Sequence, residues 1–378
     1  MRRAVFLITA MALSFVFWSC QEKRDEVKIG TVLPLTGERA SVGASAKNGI
    51  DLAIEEINAN DFLGGKKLFL QIEDSQGIPT ISLSCFERLA TVSTVPAIIG
   101  PLNSSEVLSI APKAEQRKIV VMTPAASSPL ITEAGDYIFR NVASDLYEAT
   151  LMADAVVDDF KKNKVAIAYA NNDYGKGIYE KFSKGLEKKG QNLIAVESYE
   201  GDQTDFRTII LKLKEAKPDA IYVVGYKEIA YFIKQLKEQG VNSLLLTTAI
   251  FEDPEIIGIA GNSAEGIIFT TFYLEEDSKN KRTRDFFQNY EKKYNLKPDG
   301  YAATSYDAVY LIAQAIKNKG ATSDSIKNGL YEIQDFPGLL GNFSIDKNGD
   351  ITLPIKMKTV KEGQLVNFSF GELDSNNQ

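Results

Sequence analysis

The chain has 378 residues, of which 44% are hydrophobic and 25% charged, and its 43 Lys and Arg against 50 Asp and Glu give a formal charge of −7. That balance, with no basic stripe, argues against nucleic acid as a partner, and the length exceeds one compact core and predicts two domains. Histidine is absent. This removes the commonest general base and zinc ligand, and with them His-dependent triads and most zinc hydrolase sites.

The N-terminus reads as an export signal over residues 1–20. Arg2 and Arg3 form a basic start, Ala4 to Trp18 an apolar run too short to span a bilayer, and the chain turns polar at Gln21. Ser19-Cys20 after that run resembles the lipobox of bacterial lipoproteins, with Phe17 and Trp18 bulkier than the usual residues there. The resemblance implies lipidation of Cys20 as the mature N-terminus and a membrane attachment through lipid alone. The alternative is ordinary cleavage near Ser19, and both imply export. After Cys20 only Cys85 remains, so the mature chain has no intrachain disulfide. It falls on the apolar-periodic run Ile81 to Ala90 and reads as a buried small hydrophobe.

From residue 27 strands and helices alternate. Val27–Leu33 reads as a strand, and Gly43–Ala59 as a helix on the spacing of Ala46, Ile50, Ala53, Ile54 and Ile57. A strand at Leu68–Ile72, a helix at Ile78–Thr91, a strand at Ala97–Ile99, a helix at 104–116 and a strand at Ile119–Met122 follow. A second series runs through a helix at Asp145–Phe160, a strand at Lys164–Ala170, a helix at 175–189, a strand at 192–199 and a helix at 204–216. It ends with the strand Ala220–Val224, a helix at 227–239 and the strand Leu244–Thr247. Helices are then expected at Arg282–Lys293, Ala302–Lys317 and Ser325–Ile333, before a β-rich tail from Phe343 to about Phe370. Asp346-Lys347-Asn348-Gly349-Asp350 reads as a tight Asn-Gly turn; it lacks the later bidentate Glu of a calcium loop. Two such alternating series predict an α/β protein of two Rossmann-like, doubly wound lobes.

Two loops carry the functional signal. Gly100-Pro101-Leu102-Asn103-Ser104-Ser105 and Thr123-Pro124-Ala125-Ala126-Ser127-Ser128-Pro129 each follow a β-rich run. A strand that empties into a hydroxyl-rich loop at a helix start gathers free N–H groups, Ser hydroxyls and a positive dipole end, which suits a small carboxylate. Singly, each is also an ordinary Ser cap or Pro turn; a pair on successive strand ends favours a ligand cleft. No Gly-x-Gly-x-x-Gly follows the first strand and no phosphate loop is present, so a nucleotide-dependent enzyme is not expected. No cofactor or metal is expected either.

In order and spacing, Ile29–Gly37, Gly49–Asn58, Ile99–Ser105, Thr123–Ser127, Asn172–Gly177, Asp202–Phe206, Gly261–Gly266 and Tyr306–Ala308 resemble the type I periplasmic binding proteins, in particular the leucine/isoleucine/valine-binding family of ABC importers. The resemblance implies two lobes joined by three crossovers that close on a ligand without chemistry. It sets lobe 1 at 27–142 and 273–336 and lobe 2 at 143–272 and 337–370, with crossings near Val142, Phe272 and Phe336. Carried over, Ser104 holds the ligand carboxylate, Ala125 and Ser127 complete the lobe-1 site, and Tyr174 and Tyr226 close over the ligand from lobe 2. The family's acidic contact to the ligand ammonium falls on Ala249, a departure that leaves either Glu252, three residues on, or a ligand without an amine. Val42 matches the family's apolar contact in the first loop, and nearby Arg39 reads as a solvated loop residue, the alternative being a second contact to the carboxylate. The implied function is a lipid-anchored solute receptor whose partners are a small carboxylate-bearing solute, such as a branched-chain amino acid, and ABC permease subunits. The alternatives are a binder of a non-amino organic acid and a ligand sensor acting through a partner protein.

Overall fold

A computed structural model describes residues 26–368 apart from 273, 277 and 354. The expected export signal, Cys20 and the end of the β-rich tail lie outside the described residues. Among the described residues no helix is long and apolar enough to cross a membrane.

Strands β1 (Glu26–Leu33), β2 (Lys67–Asp74), β3 (Ala97–Ile99), β4 (Val120–Thr123) and β5 (Ile138–Arg140) form a parallel sheet in the order β2-β1-β3-β4-β5. Strands β6 (Val165–Ala170), β7 (Ala195–Tyr199), β8 (Ala220–Val224), β9 (Leu244–Thr247) and β10 (Ile268–Phe272) repeat that order as β7-β6-β8-β9-β10. A short hairpin, β11 (Phe336–Gly338) with β12 (Gly341–Phe343), stands apart. Strands β13 (Ile355–Lys361) and β14 (Gln364–Asn367) extend the second sheet antiparallel from β10. The burial explains the sequence pattern. Central strands β3, β4 and β8 are buried at every position, as sheets covered on both faces require. Edge strands β2 and β7 keep exposed positions.

Helices cover both faces: α1 (Ala40–Ala59), α2 (Pro79–Arg88), α3 (Ser104–Arg117), α4 (Asp145–Asp154), α5 (Asp173–Lys188), α6 (Arg207–Ala216), α7 (Ile229–Glu238), α8 (Pro254–Ala260), α9 (Lys281–Tyr294), α10 (Gly300–Lys319) and α11 (Ser323–Tyr331). Several begin before their apolar periodicity does, because a side chain caps them. Asn172 accepts the Gly175 N–H at 2.9 Å and starts α5 at Asp173, and Asp299 accepts the Ala302 N–H at 2.8 Å and starts α10 at Gly300. Cys85 is fully buried on α2.

The chain passes from the first sheet to the second after β5 and returns after β10. The expected third crossing near Phe336 lies further on. Leu339, Leu340, Phe343, Ile345, Ile351 and Leu353 are buried in the same core as Ile29, Ile99 and Met122 of the first sheet. The Asp307 carboxylate accepts the Leu339 N–H at 2.7 Å, and Asp350 pairs with the buried Arg140 at 2.6 Å. Residues 337–353 therefore belong to lobe 1, and the crossing follows Leu353. The Asp346–Asp350 segment forms a tight turn, in which the Asp346 carbonyl accepts the Gly349 N–H at 3.1 Å.

Lobe 1 depends on the close crossing of α1 and α10. A Cβ on Gly49 would lie 2.1 Å from the Ala302 carbonyl oxygen, so nothing larger than hydrogen fits. Gly49→Ala is expected to force the helices apart, to cost about 1–3 kcal/mol and to lower the unfolding temperature by several degrees. An unchanged calorimetric midpoint would contradict this packing.

Candidate functional site

The order β2-β1-β3 in one sheet and β7-β6-β8 in the other places a switch point of the winding in each lobe, where ligands of open α/β sheets bind. The loops after β1, β3 and β4 meet those after β6, β8 and β9 around one cleft of about 700 Å³ including its open mouth. Ser104, Ala125, Ser127, Tyr174, Tyr226 and Glu252, the six residues expected from sequence, all line it, and so does Ala249. The lobes touch across it. The Ser128 hydroxyl donates to the Asp173 carbonyl at 3.2 Å, the Asp173 N–H to Ser105 Oγ at 3.4 Å, and the Ser41 hydroxyl to Asp253 at 3.3 Å.

The lobe-1 wall is built by backbone fit. Gly100 sits at φ +91°, and a Cβ there would lie 2.2 Å from the Val32 carbonyl oxygen, so glycine is required where β3 gives way to its loop. Ser104 then opens α3, and its hydroxyl accepts the Ser128 N–H at 3.2 Å. Thr123 Oγ1 donates to the Pro101 carbonyl at 2.6 Å and accepts the Ala126 N–H at 3.0 Å, folding the second loop against the first. Arg140 donates to the carbonyls of Ser127 and Ser128 at 3.0 and 2.9 Å from behind. A helix N-terminus, two Ser residues and loop amides thus border one side of the cleft.

Arg39 corrects the sequence reading. It is not a solvated loop residue but is 8% exposed and lines the cleft. It donates to Asn103 Oδ1 at 2.6 Å, and its guanidinium lies 4.3 Å from the Tyr226 ring centre and 6.0 Å from that of Tyr301. Helix α1 begins one residue later, which directs Arg39 to the cleft, while Val42 packs into the lobe-1 core. Among the described residues no carboxylate lies within ion-pair distance of Arg39.

The lobe-2 wall is aromatic below and acidic beside. Tyr174 and Tyr226 stack with centroids 5.2 Å apart and planes 11° off parallel, so Arg39, Tyr226 and Tyr174 form one layered column. The Tyr174 hydroxyl donates to Thr248 at 2.8 Å. Glu252 reaches the wall, but its carboxylate pairs with Lys358 and accepts the Thr271 hydroxyl. Glu148 on α4 also lines the cleft and was missed in the sequence; it accepts the Thr270 hydroxyl at 2.5 Å, and the nearby Ala249 amide favours its charged form. The available signal was its spacing, three residues after Asp145 in the first turn of α4, which sets both acids on one helix face. Burial and the charge of Glu148 push Asp145 well above the usual carboxylate range. The Ser127 hydroxyl and Arg140 act the other way from nearby, but neither Asp145 oxygen has a partner in hydrogen-bond geometry. Among the described residues no cluster of three or more acidic, Cys or His side chains is arranged to hold a metal.

Burial pushes the Glu148 carboxyl from 4.5 up to about 7, against the pull of Thr270 and the Ala249 amide. The folded state therefore holds a proton that the unfolded chain has already lost. The stability this contributes is complete below pH 4.5 and disappears as pH rises through about 7. Glu148→Gln removes the titration, so the variant's unfolding temperature is expected to gain on the parent's as pH rises from about 5 to about 8. A difference that does not change with pH would contradict the burial of this charge.

The sequence profile of the periplasmic binding protein family matches residues 26–364. Over 352 residues, 92% of this chain and 95% of the relative, the sequence is 26% identical to the Leu/Ile/Val-binding protein homolog 3 of Brucella melitensis. The fold is similar to the crystal structure of a leucine binding protein from Thermotoga maritima, with TM-score 0.85 and 28% identity over 91% of this chain and 98% of that one. It is also similar to a solute binding protein of an ABC transporter from Rhodopseudomonas palustris in complex with 3,4-dihydroxybenzoic acid, with TM-score 0.81 and 25% identity over 91% and 96%. With two switch-point loops meeting over one cleft and a family match across both lobes, the chain belongs to the type I periplasmic binding proteins of the branched-chain amino acid family, which are substrate-binding proteins of ABC transporters and not enzymes.

Proposed function

We propose that this protein receives a small carboxylate-bearing solute outside the cytoplasm and delivers it to an ABC permease, the solute being an amino acid with a compact apolar side chain. The observation that carries the reading is the meeting of Arg39, a buried cation with no ion-pair partner among the described residues, with the Ser104 start of α3 on one cleft wall. A guanidinium and a helix N-terminus together match a carboxylate. Leu102, Val142 and Ile250 give the remainder of the lining an apolar character, and the leucine binding protein among its structural relatives supports the same class. A solute that touches both lobes stabilises the closed arrangement, and the permease reads that shift.

A second reading, an organic acid without an amine, is favoured by Ala249 at the family's acidic position and by the engagement of Glu252 with Lys358. The relative in complex with 3,4-dihydroxybenzoic acid supports it.

Thermal-shift titration separates the two readings. Leucine, isoleucine and valine, set against 4-methylpentanoate and 3,4-dihydroxybenzoate, are expected to give saturable increases in unfolding temperature. No shift with any of these carboxylates would refute the carboxylate receptor. Ser104→Ala is expected to weaken binding by about 1–3 kcal/mol with the fold intact, and unchanged affinity would remove Ser104 from the site. Cys20 is proposed as the lipid attachment point. Labelled palmitate should then mark the parent protein in cells and not Cys20→Ser, and equal labelling would refute the anchor.

A further inference from the structure

The cleft wall carries four carboxylates, and three of them already have occupations. Glu252 pairs with Lys358. Asp253 caps α8 by accepting the Glu255 N–H at 2.8 Å, and Asp299 caps α10 in the same way. Glu148 is the fourth. It is 4% exposed, caps no helix, and among the described residues has no cation within ion-pair distance. The Thr270 hydroxyl, with the Ala249 amide nearby, orients a carboxylate that retains acceptor capacity.

Its surroundings are short of one positive charge. Asp145, 1% exposed on the same helix face, has no partner for either oxygen, and the buried Tyr222 hydroxyl, which both acids influence, has none either. The cation that acts on Asp145, Arg140, is committed to Asp350 and to the Ser127 loop. Buried carboxylates without a counter-charge are costly, so an entering ammonium would meet a ready partner. The acid group also borders the proposed carboxylate site, since the Ser127 hydroxyl acts on Asp145. The charged groups of a 2-amino acid sit on one carbon and need such closely spaced partners.

We infer that Glu148, and not Glu252 or the position of Ala249, receives the ammonium group of the solute, so that the cleft takes a 2-amino acid as a zwitterion with its carboxylate toward Ser104, Ser127 and Arg39. This rests on the carboxylate reading above. The missing acid of the loop after β9 is replaced from α4, with the Ala249 amide now orienting the substitute.

The test is calorimetric titration of the parent, Glu148→Gln and Glu252→Gln with L-leucine, L-isoleucine and L-valine and with 4-methylpentanoate, which is leucine without its amine. Glu148→Gln keeps the shape of the side chain and its contact with Thr270, and its unfolding temperature without ligand verifies the fold. The expected result is a tenfold or larger loss of affinity for the amino acids in Glu148→Gln, with binding of 4-methylpentanoate unchanged. Amino-acid affinity retained in Glu148→Gln, or lost in Glu252→Gln alone, would overturn the assignment. Parent protein that binds 4-methylpentanoate as tightly as leucine would overturn it while leaving the carboxylate reading in place. No binding of any of these acids would overturn both.

Discussion

The Arg140 guanidinium, with no exposed surface, holds lobe 1 and its half of the cleft together. It donates to the carbonyls of Ser127 and Ser128, to the Thr132 hydroxyl at 2.6 Å and to Asp350 at 2.6 Å. One side chain thus fixes the loop that borders the cleft, the turn after it, and the Asp346–Asp350 turn that keeps residues 337–353 in lobe 1. A buried cation of this kind is tolerated because its partners are numerous and one is charged; loss of that partner typically costs about 3–5 kcal/mol. With Arg140 so engaged, neither Asp145 oxygen has a hydrogen-bond partner.

The contact between the lobes is light. It includes long hydrogen bonds, 3.2 to 3.4 Å, between Ser hydroxyls and Asp173 or Asp253, the Asp145 N–H on the Ser127 carbonyl at 2.9 Å, and the stacking of Arg39 on Tyr226. Neutral hydrogen bonds contribute about 1 kcal/mol each, one to a carboxylate about 1.5–3 kcal/mol, and a cation–π contact about 0.5–2 kcal/mol. A balance of that size lets a solute touching both walls decide between open and closed forms. On the proposed function, the mostly apolar sheet interiors move as rigid bodies and the three crossings after β5, β10 and Leu353 absorb the motion.

Much of the fold was legible because the central strands are continuous apolar runs: Ala97–Ile99 and Ala220–Val224 are buried on both faces and admit no other reading. Helix starts were less legible, since caps such as Asn172 and Asp299 act ahead of the apolar period. The boundary at Phe336 was misplaced because a hairpin and an irregular segment lack periodicity, and only the packing of Leu340 and Ile351 against the first sheet reveals their lobe. In the site, Ser104 and Ser127 were visible through their strand–loop–helix setting. Arg39 was legible only as an alternative, because its burial depends on Tyr226 and Tyr301, which are distant in sequence. Glu148 escaped for a related reason: a carboxylate on an amphipathic helix looks solvated until the fold sets Thr270 and Ala249 against it.

A crystal structure grown at saturating leucine tests the central claim, a carboxylate held at the lobe-1 wall of the cleft. The account predicts leucine between the lobes, its carboxylate within hydrogen-bond distance of Ser104 and the Ser127 loop. A cleft without leucine at saturation, or leucine with its carboxylate turned to the lobe-2 wall, would contradict it.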